Sequence, residues 1–389
     1  MTNSNTYCVM PHIGMAVQNH ADFCCCNVNP ESWKNGKHEV LFVHKHKLED
    51  SFKSYTRKII ATSLDKGIKH PSCKFCWDLE ESQQSSPRNY FNSRFEHVKP
   101  LKHQPQVLIL KPGNTCNFAC RMCNPETSTS WYNDAYELTN KAITFAEYTK
   151  RFEDIRNSFN KDTALWSQLR EWIHEFKHID IYGGEPFLTP GLFDLLEYAV
   201  NEQISSNITL NIHTNCSIYN YKYLDILSKF KQVNFNMSFD SHLPDQLSYI
   251  RHKIDTAKAF ANATKFIDFF KNHENIFISC TCTITPYNVF NIDEIMLNLE
   301  QILKVNVSPN IVTTDEFDIR HLPVPVKDIL LKTLTNEKIK NFLSQTIPGC
   351  DIYWPKFCQI TDKLDKIRNQ SFGKIFPKWF KILEPYWVY

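Results

Sequence analysis

The sequence predicts an α/β protein built on a parallel β/α sheet, and three observations carry that expectation. Six apolar strand-like runs, at 107–111, 178–182, 208–213, 233–239, 276–284 and 304–312, are separated by helix-length segments, the alternation that builds parallel sheets. Three of these runs also alternate in polarity. Ile208, Leu210 and Ile212 alternate with Thr209, Asn211 and His213; Val233, Phe235, Met237 and Phe239 with Asn234, Asn236, Ser238 and Asp240; Ile276, Ile278, Cys280, Cys282 and Ile284 mostly with Ser279, Thr281 and Thr283. A parallel strand covered on both faces is apolar throughout, so here one face meets helices and the other an open, wet interior, unlike the layered branched residues of a closed barrel. The expected lining is His178, Asp180, Asn211, His213, Asn234 and Asn236, which suits a polar substrate, although such groups also satisfy one another. The third observation is a cysteine-rich loop following the first run, at the strand end where β/α barrels carry their active sites.

Composition bounds the reading. A chain of 389 residues with 42% hydrophobic content can bury one large core or two to three smaller ones. Its apolar runs fall short of the ~20 residues a membrane span needs. The opening MTNSNTYCVM lacks the basic-then-apolar pattern of a secretory signal, so a cytoplasmic location is expected. A net charge of +2 gives no strong attraction to nucleic acid or to acidic membranes. In a reducing compartment the fourteen cysteines read as metal ligands and buried thiols rather than disulfides. Neither a Walker nor a Rossmann glycine loop occurs.

Residues 1–98 read as a separate module. Ile13, Met15 and Val17 alternate with small or polar residues, Gln18-Asn19-His20 supplies a turn, and Phe23 with Cys24-Cys25-Cys26 begins a return strand, a hairpin with Cys8 just before it. A helix is expected over Lys47–Lys66, followed by the C-x2-C knuckle Cys73-Lys74-Phe75-Cys76 and an acidic helix start at Asp78–Glu81. Cys8, one of the Cys24–Cys26 trio, Cys73 and Cys76 make a four-thiolate set, which spacing alone reads equally as a structural zinc knuckle.

Residues 99–320 carry the six strand-like runs. Val107 to Leu110 leads into Asn114–Asn124, N-T-C-N-F-A-C-R-M-C-N, with Cys116, Cys120 and Cys123 spaced C-x3-C-x2-C, and a helix-compatible segment follows from Thr127. Three thiolates on one loop hold three irons of a four-iron cluster and leave the fourth open to a small molecule; a structural zinc site closes its shell with a fourth ligand. This loop resembles the defining motif of the radical S-adenosylmethionine (SAM) enzymes. About sixty residues on, Tyr182-Gly183-Gly184-Glu185-Pro186 looks like that family's GGEP motif, in which glycines let the backbone approach the SAM amino group and Glu185 accepts a hydrogen bond from it. Six units then correspond to the family's partial (β/α)6 barrel.

Further positions match. Met237-Ser238-Phe239-Asp240 is similar to the S-x-D segment of peptide-modifying members, where the serine contacts the SAM ribose, and Arg251 to the arginine that pairs with the SAM carboxylate, a role suited to a forked donor. Thr214-Asn215 matches the T-N pair ending the third strand, with Cys216 where a glycine is usual, and Asn288 is a weaker candidate for a SAM contact. The four-thiolate set resembles the twitch module, an auxiliary-cluster domain of some radical SAM enzymes, here placed before the barrel. The match covers C-V-M-P-H, the cysteine run, C-x2-C followed by E-E-S, then Ser86 and Arg88. Cys25 is favoured as its second ligand, with Cys24 close behind.

Residues 321–389 read as a helical extension. Pro323 and Pro325 mark the boundary; Val326, Ile329, Leu330 and Leu334, then Phe357, Ile360, Leu364 and Ile367, recur at helical spacing. Cys350 and Cys358 read as core thiols, and Trp354, Trp379, Tyr386 and Trp387 as a docked, aromatic end. The resemblance implies a radical SAM oxidoreductase or maturase with a SAM-binding [4Fe-4S] cluster and an auxiliary [4Fe-4S] cluster, served by a reductase such as flavodoxin or ferredoxin. Such an enzyme cleaves SAM to a 5′-deoxyadenosyl radical that abstracts hydrogen from its substrate. A peptide or protein substrate is expected first and a carbohydrate or aminocyclitol alcohol second. A non-catalytic metal-binding scaffold is the reading from another class, and it leaves Glu185, Ser238 and Arg251 without a purpose.

Overall fold

The computed structural model describes residues 5–18, 21–29, 41–81, 85–161 and 163–388, with the backbone alone at Ala21 and Asp22. The turn residues Asn19 and His20, and Ser82 of the E-E-S run, lie outside the described residues. The strands, in chain order, are β1 (Gly14–Gln18), β2 (Ala21–Phe23), β3 (Leu41–Phe42), β4 (Val107–Lys111), β5 (Ala119–Cys120), β6 (His178–Ile181), β7 (Thr209–Thr214), β8 (Gln232–Ser238), β9 (Arg251–His252), β10 (Ile276–Ile284) and β11 (Asn306–Ile311). All six strand-like runs of the sequence are strands, displaced by at most two residues. The fold is α/β, with a parallel sheet and helices between its strands.

The chain divides into two compact units, and these do not follow the boundaries expected at residues 98 and 320. The first gathers the described residues up to Thr115 with Phe152–Ile212 and Asn220–Asn234; the second gathers Cys116–Arg151, His213–Tyr219 and the chain from Phe235 onward. In the first unit β1 pairs in parallel with β4, β4 with β6, and β6 with the start of β7. The N-terminal hairpin is thus part of the same sheet as the expected barrel strands, with Ala16 beside Ile109 and Ile109 beside Asp180. β1, β2 and β3 then run antiparallel, Ala16 opposite Phe23 and Ala21 opposite Phe42. The expected hairpin forms, but Cys24–Cys26 lie in a turn after β2 and not in its strand.

The helix expected over Lys47–Lys66 is two helices, Leu48–Phe52 and Tyr55–Asp65. Ser54 separates them because its hydroxyl accepts from Arg57 N at 3.3 Å, the N-cap bond that favours serine outside a helix interior. After the knuckle, the helix starts at Lys74, four residues before the expected Asp78, so Cys76 lies inside it and Cys73 ends the 3-10 turn before it.

In the second unit β10 and β11 pair in parallel, Cys280 beside Val307, and β5 with β9 forms a short antiparallel ribbon, Ala119 opposite His252 and Cys120 opposite Arg251. The tail forms helices at Val324–Thr333, Glu337–Leu343, Cys350–Arg368, Phe372–Ile375 and Pro377–Leu383. Its aromatic end docks: Trp379 Nε1 donates to Pro286 O at 2.7 Å and Trp354 Nε1 to Tyr386 O at 2.7 Å. Ile329, placed on the inner stripe by its spacing, is exposed, whereas Val326 and Leu330 are buried. Among the described residues no helix is long and apolar enough to cross a membrane.

The alternation in polarity is mirrored in burial. Ile208, Leu210, Ile212, Val233, Phe235, Met237 and Phe239 are fully buried, while Thr209, Asn211, His213, Asn234, Asn236 and Ser238 are half-buried.

Candidate active site

The second unit holds the three-cysteine loop, and its backbone is tied at nearly every turn. Cys116 O accepts from Ser130 Oγ at 2.9 Å, Phe118 O from Ser128 Oγ at 2.5 Å, and Cys120 O from Trp131 Nε1 at 2.7 Å and Cys123 N at 2.9 Å. These donors come from a 3-10 turn, Thr129–Trp131, and its cap Ser128, so the segment expected to be helical after Thr127 first serves as a bracket for the loop. Cys120 is buried; Cys116 and Cys123 are half-buried. The neighbouring Cys123 sulfur, and then burial, push the Cys120 thiol well up, and Arg251 pulls it down.

Asn215 reaches this loop directly. Its Nδ2 donates to Asn117 Oδ1 at 3.1 Å and approaches Cys116 Sγ at 3.8 Å, while its Oδ1 accepts from Ser217 N at 2.9 Å. The turn that aims it passes through Cys216, at φ +62°, a left-handed conformation that glycine adopts most easily. Cys216 is held there by Thr214 Oγ1, which accepts from Cys216 N at 3.2 Å, and by Asn262 Nδ2, which donates to Cys216 O at 2.9 Å. The departure from the usual glycine thus keeps the backbone shape that glycine serves.

Arg251 is buried and paired with Asp240, Nε to Oδ2 at 2.7 Å and Nη2 to Oδ1 at 3.1 Å. Burial opposes its charge, but Asp240, with the nearby Cys120 and Cys123, more than offsets that and raises its pKa. Asp240 Oδ1 also accepts from Thr283 N at 2.8 Å. Asn288 is fully buried and bridges two strand ends: Nδ2 donates to Asp240 O and Thr283 O, and Oδ1 accepts from Thr285 N. Those bonds use both N–H groups of the amide and make Asn288 a structural bridge. Ser238, half-buried, ends β8.

In the first unit, Gly183 and Gly184 have φ +84° and +56°. At Gly184 the turn comes close to the chain itself: a Cβ there would lie 2.6 Å from Thr115 O, the residue before Cys116. Glu185 N donates to Thr115 O at 2.8 Å. Glu185 is 1% exposed, and its Oε1 accepts from Phe187 N at 3.1 Å, capping the turn Pro186–Leu188.

The polar lining is a connected network here. Gln232 Nε2 donates to Asn234 Oδ1, Asn234 Nδ2 to Asn211 Oδ1 and Asn211 Nδ2 to Asp180 Oδ1, and His178 Nε2 lies 3.0 Å from Asp180 Oδ1. In the second unit, Ser279 Oγ donates to Asn236 Oδ1 at 2.6 Å.

The N-terminal thiols also lie in the first unit. Cys8, Cys24, Cys25, Cys73 and Cys76 line one cavity with Arg88, walled by apolar side chains. Asn29 N donates to Ser72 O at 2.9 Å, joining the cysteine turn to the knuckle. Burial pushes the Cys8 thiol up to about 12 and Cys24 to about 11. Cys24 interacts electrostatically with both Cys8 and Cys73; the Cys25 sulfur is engaged first with Cys26 and interacts with Cys8 as well, and Cys26 is engaged in turn with Tyr182. Arg88 forks onto Glu80 at 2.9 and 2.6 Å and donates to Tyr7 O at 2.7 Å. Among the described residues no three His, Cys, Asp or Glu side chains converge on a position for one metal ion. In number and type, three thiols on one loop and a thiol set around a cavity fit iron–sulfur ligation.

Sequence reasoning missed Arg121, Asp134, Asp365 and Arg368 as parts of the loop's surroundings. The one available signal was a charged residue, Arg121, between two cysteines of the motif.

Residues 110–302, just under half of the chain, match the family model of the Radical SAM superfamily. No curated protein matches. Among solved structures the chain is similar to Streptococcus suis SuiB bound to S-adenosylmethionine, at 14% identity over 65% of this chain and 50% of that one, TM-score 0.35. It is similar to anSMEcpe with bound AdoMet at 16% identity over 61% of each chain, TM-score 0.39. The radical S-adenosylmethionine methyltransferase TsrM from Kitasatospora setae matches at 13% identity over 55% of this chain and 39% of that one, TM-score 0.34. The chain thus spans between half and about three fifths of the length of the first two of these structures.

Proposed function

On the premise that residues 110–302 belong to the Radical SAM superfamily, whose model they match, we propose that the chain is a radical SAM enzyme with Cys116, Cys120 and Cys123 as ligands of its catalytic [4Fe-4S] cluster. When bound, that cluster supplies the electron that cleaves SAM reductively, with flavodoxin or ferredoxin as the reductase. The observation that carries the reading is the bracketed loop, with three thiols on a backbone tied by Ser128, Ser130 and Trp131, and Asn215 at the Cys116 sulfur. Glu185, Gly183, Gly184, Thr214, Asn215, Ser238 and Arg251 are the proposed SAM-side residues. Arg251 acts with Asp240 as a pair, which fixes where its remaining donor capacity points.

A second, auxiliary [4Fe-4S] cluster is proposed at the N-terminal cavity, with Cys8, Cys73 and Cys76 as ligands. The nearness of Cys24 to Cys8 and Cys73 supports Cys24 as the fourth, in place of the Cys25 expected from sequence. On that basis residues 1–98 act as a twitch-like domain, 99–320 as the partial barrel and 321–389 as its helical extension. The enzyme is a cytoplasmic maturase in this account. The substrate is a peptide or protein, in line with the resemblance; the run of amide, carboxylate and imidazole groups from Gln232 to His178 equally suits a hydroxyl-rich small molecule. The test is anaerobic incubation of reconstituted protein with SAM and dithionite. The account expects 5′-deoxyadenosine from the parent and none from the variant with all three loop cysteines changed to Ala; equal yields would remove it.

A further inference from the structure

The three-cysteine loop contains a cation that its proposed ligand chemistry does not use. Arg121, directly after Cys120, has no exposed side-chain surface, although an isolated buried charge is among the costliest groups to place in a protein. Everything that compensates it lies in the second unit. Its Nη2 meets Asp365 Oδ1 at 2.5 Å and Gln370 Oε1 at 3.0 Å, its Nε donates to Tyr249 O at 3.0 Å, and its plane lies 3.6 Å over the Tyr249 ring. Asp365 belongs to the tail helix Cys350–Arg368 and is itself fixed, accepting from Tyr249 OH at 2.8 Å and from Phe372 N at 2.6 Å.

One turn further along that helix, Arg368 makes the opposite contact. It pairs with Asp134 at 2.8 Å and lies 4.9 Å over Trp131, whose Nε1 holds Cys120 O. Asp365 and Arg368, three apart and so on one helix face, thus grip both sides of the middle cysteine. Asp365 acts through Arg121 on the residue after it, and Arg368 acts through Trp131 on its carbonyl.

We propose that the tail helix is a clamp for the cluster loop, with Asp365 and Arg368 as positioning residues that set the geometry of Cys120. The proposal rests on the radical SAM reading of that loop for its consequence, but the clamp itself concerns residues that are present without metal. Removing the Asp365 charge leaves the Arg121 guanidinium buried without its counter-charge, the circumstance in which breaking an ion pair is most disruptive. The loop then opens locally more often.

The test uses the full chain in two forms. In metal-free protein, limited trypsin digestion reads cleavage after Arg121. The parent resists, Asp365→Asn is cut at least roughly tenfold faster, and Asp365→Glu is cut within about twofold of the parent, since it keeps the charge. In anaerobically reconstituted protein, Asp365→Asn loses iron to a chelator faster and shifts the SAM-responsive electron paramagnetic resonance signal and its midpoint potential. Arg320→Ala is the control, because it breaks another largely buried pair of the same unit, Asp318–Arg320 at 2.6 Å, and the side-chain partners of Arg320, Asp318 and Gln345, bond to neither Arg121 nor Asp365. It leaves cleavage at Arg121, the signal and the potential at parent values. If Asp365→Asn does not fold, Gln370→Ala gives the same changes at roughly threefold size, having lost one neutral partner. Parent-like cleavage in Asp365→Asn and Gln370→Ala overturns the clamp, as does an Arg320→Ala variant that behaves like Asp365→Asn. A parent without a SAM-responsive signal overturns the reading of the cluster instead, and the trypsin comparison then still decides the clamp.

Discussion

Gly184→Ala is the sharpest probe of how the GGEP turn holds Thr115. Three of the four described glycines of the first unit with left-handed backbones, Gly67, Gly183 and Gly184, have different surroundings, so they separate the effects. Gly67, at φ +82°, has nothing within 4 Å of the position a Cβ would take. Alanine there meets only the left-handed penalty of about 1–2 kcal/mol, offset in part by an unfolded chain stiffened by about 0.4–1 kcal/mol. The net loss is about 0.5–1 kcal/mol. At Gly183 the new Cβ meets the Lys111 side chain, nearest at 2.2 Å, which is flexible and can swing away. At Gly184 it meets a backbone oxygen, Thr115 O at 2.6 Å, which cannot. Overpacking of this kind costs about 1–3 kcal/mol, and relieving it strains the 2.8 Å bond from Glu185 N to the same oxygen. Gly184→Ala therefore loses about 1.5–4 kcal/mol in total, more than the loss at Gly67 by the whole overpacking cost. Urea denaturation of the three variants measures this. A Gly184→Ala variant within about 0.5 kcal/mol of Gly67→Ala refutes the argument that this turn fixes Thr115.

Other predictions follow from the same structure. Arg251→Ala strands the buried Asp240 carboxylate and destabilises the protein by about 3–5 kcal/mol, and Arg251→Met with Asp240→Leu recovers most of it; thermodynamic cycles from denaturation check this. His252, on the ribbon opposite Ala119, is held down to about 4 from 6.5 by burial and then by Arg368. As pH falls through 6.5 toward 4 the unfolded chain takes up that proton before the folded one does, so stability declines in this window. His252→Asn flattens the decline in melting temperature, and an unchanged slope contradicts it. The N-terminal cavity, if it holds a second cluster, brings the reconstituted chain to about eight irons, and about four persist when Cys116, Cys120 and Cys123 are Ala. In that background Cys24→Ala removes the remainder while Cys25→Ala spares it; about one zinc in place of those irons identifies a zinc knuckle.

Strands were legible where burial imposes a period of two. Leu210 and Ile212 with Asn211 between them specify a face as well as an element, and β7 and β8 lie within one residue of their expected bounds. Local competition was harder to read: Ser54 offers its own cap bond and splits one expected helix into two. Pairing between distant segments has no local mark, so nothing in Met15 or Val17 announces β4 as the partner of β1. The same applies to the site. Cys116, Cys120 and Cys123 are close in sequence and declare themselves by spacing, whereas Arg121 and Asp365 are 244 residues apart. Cys24 and Cys25 were indistinguishable because adjacent residues share a spacing, and only the turn after β2 separates their surroundings.

The most direct test of the central claim is electron paramagnetic resonance of the reduced protein with and without SAM, made in the Cys73→Ala, Cys76→Ala background so that only the loop can carry a cluster. The account predicts a four-iron signal whose shape changes when SAM is added, because three thiolates leave one iron open. A fully reduced, four-iron signal that SAM leaves unaltered would contradict it.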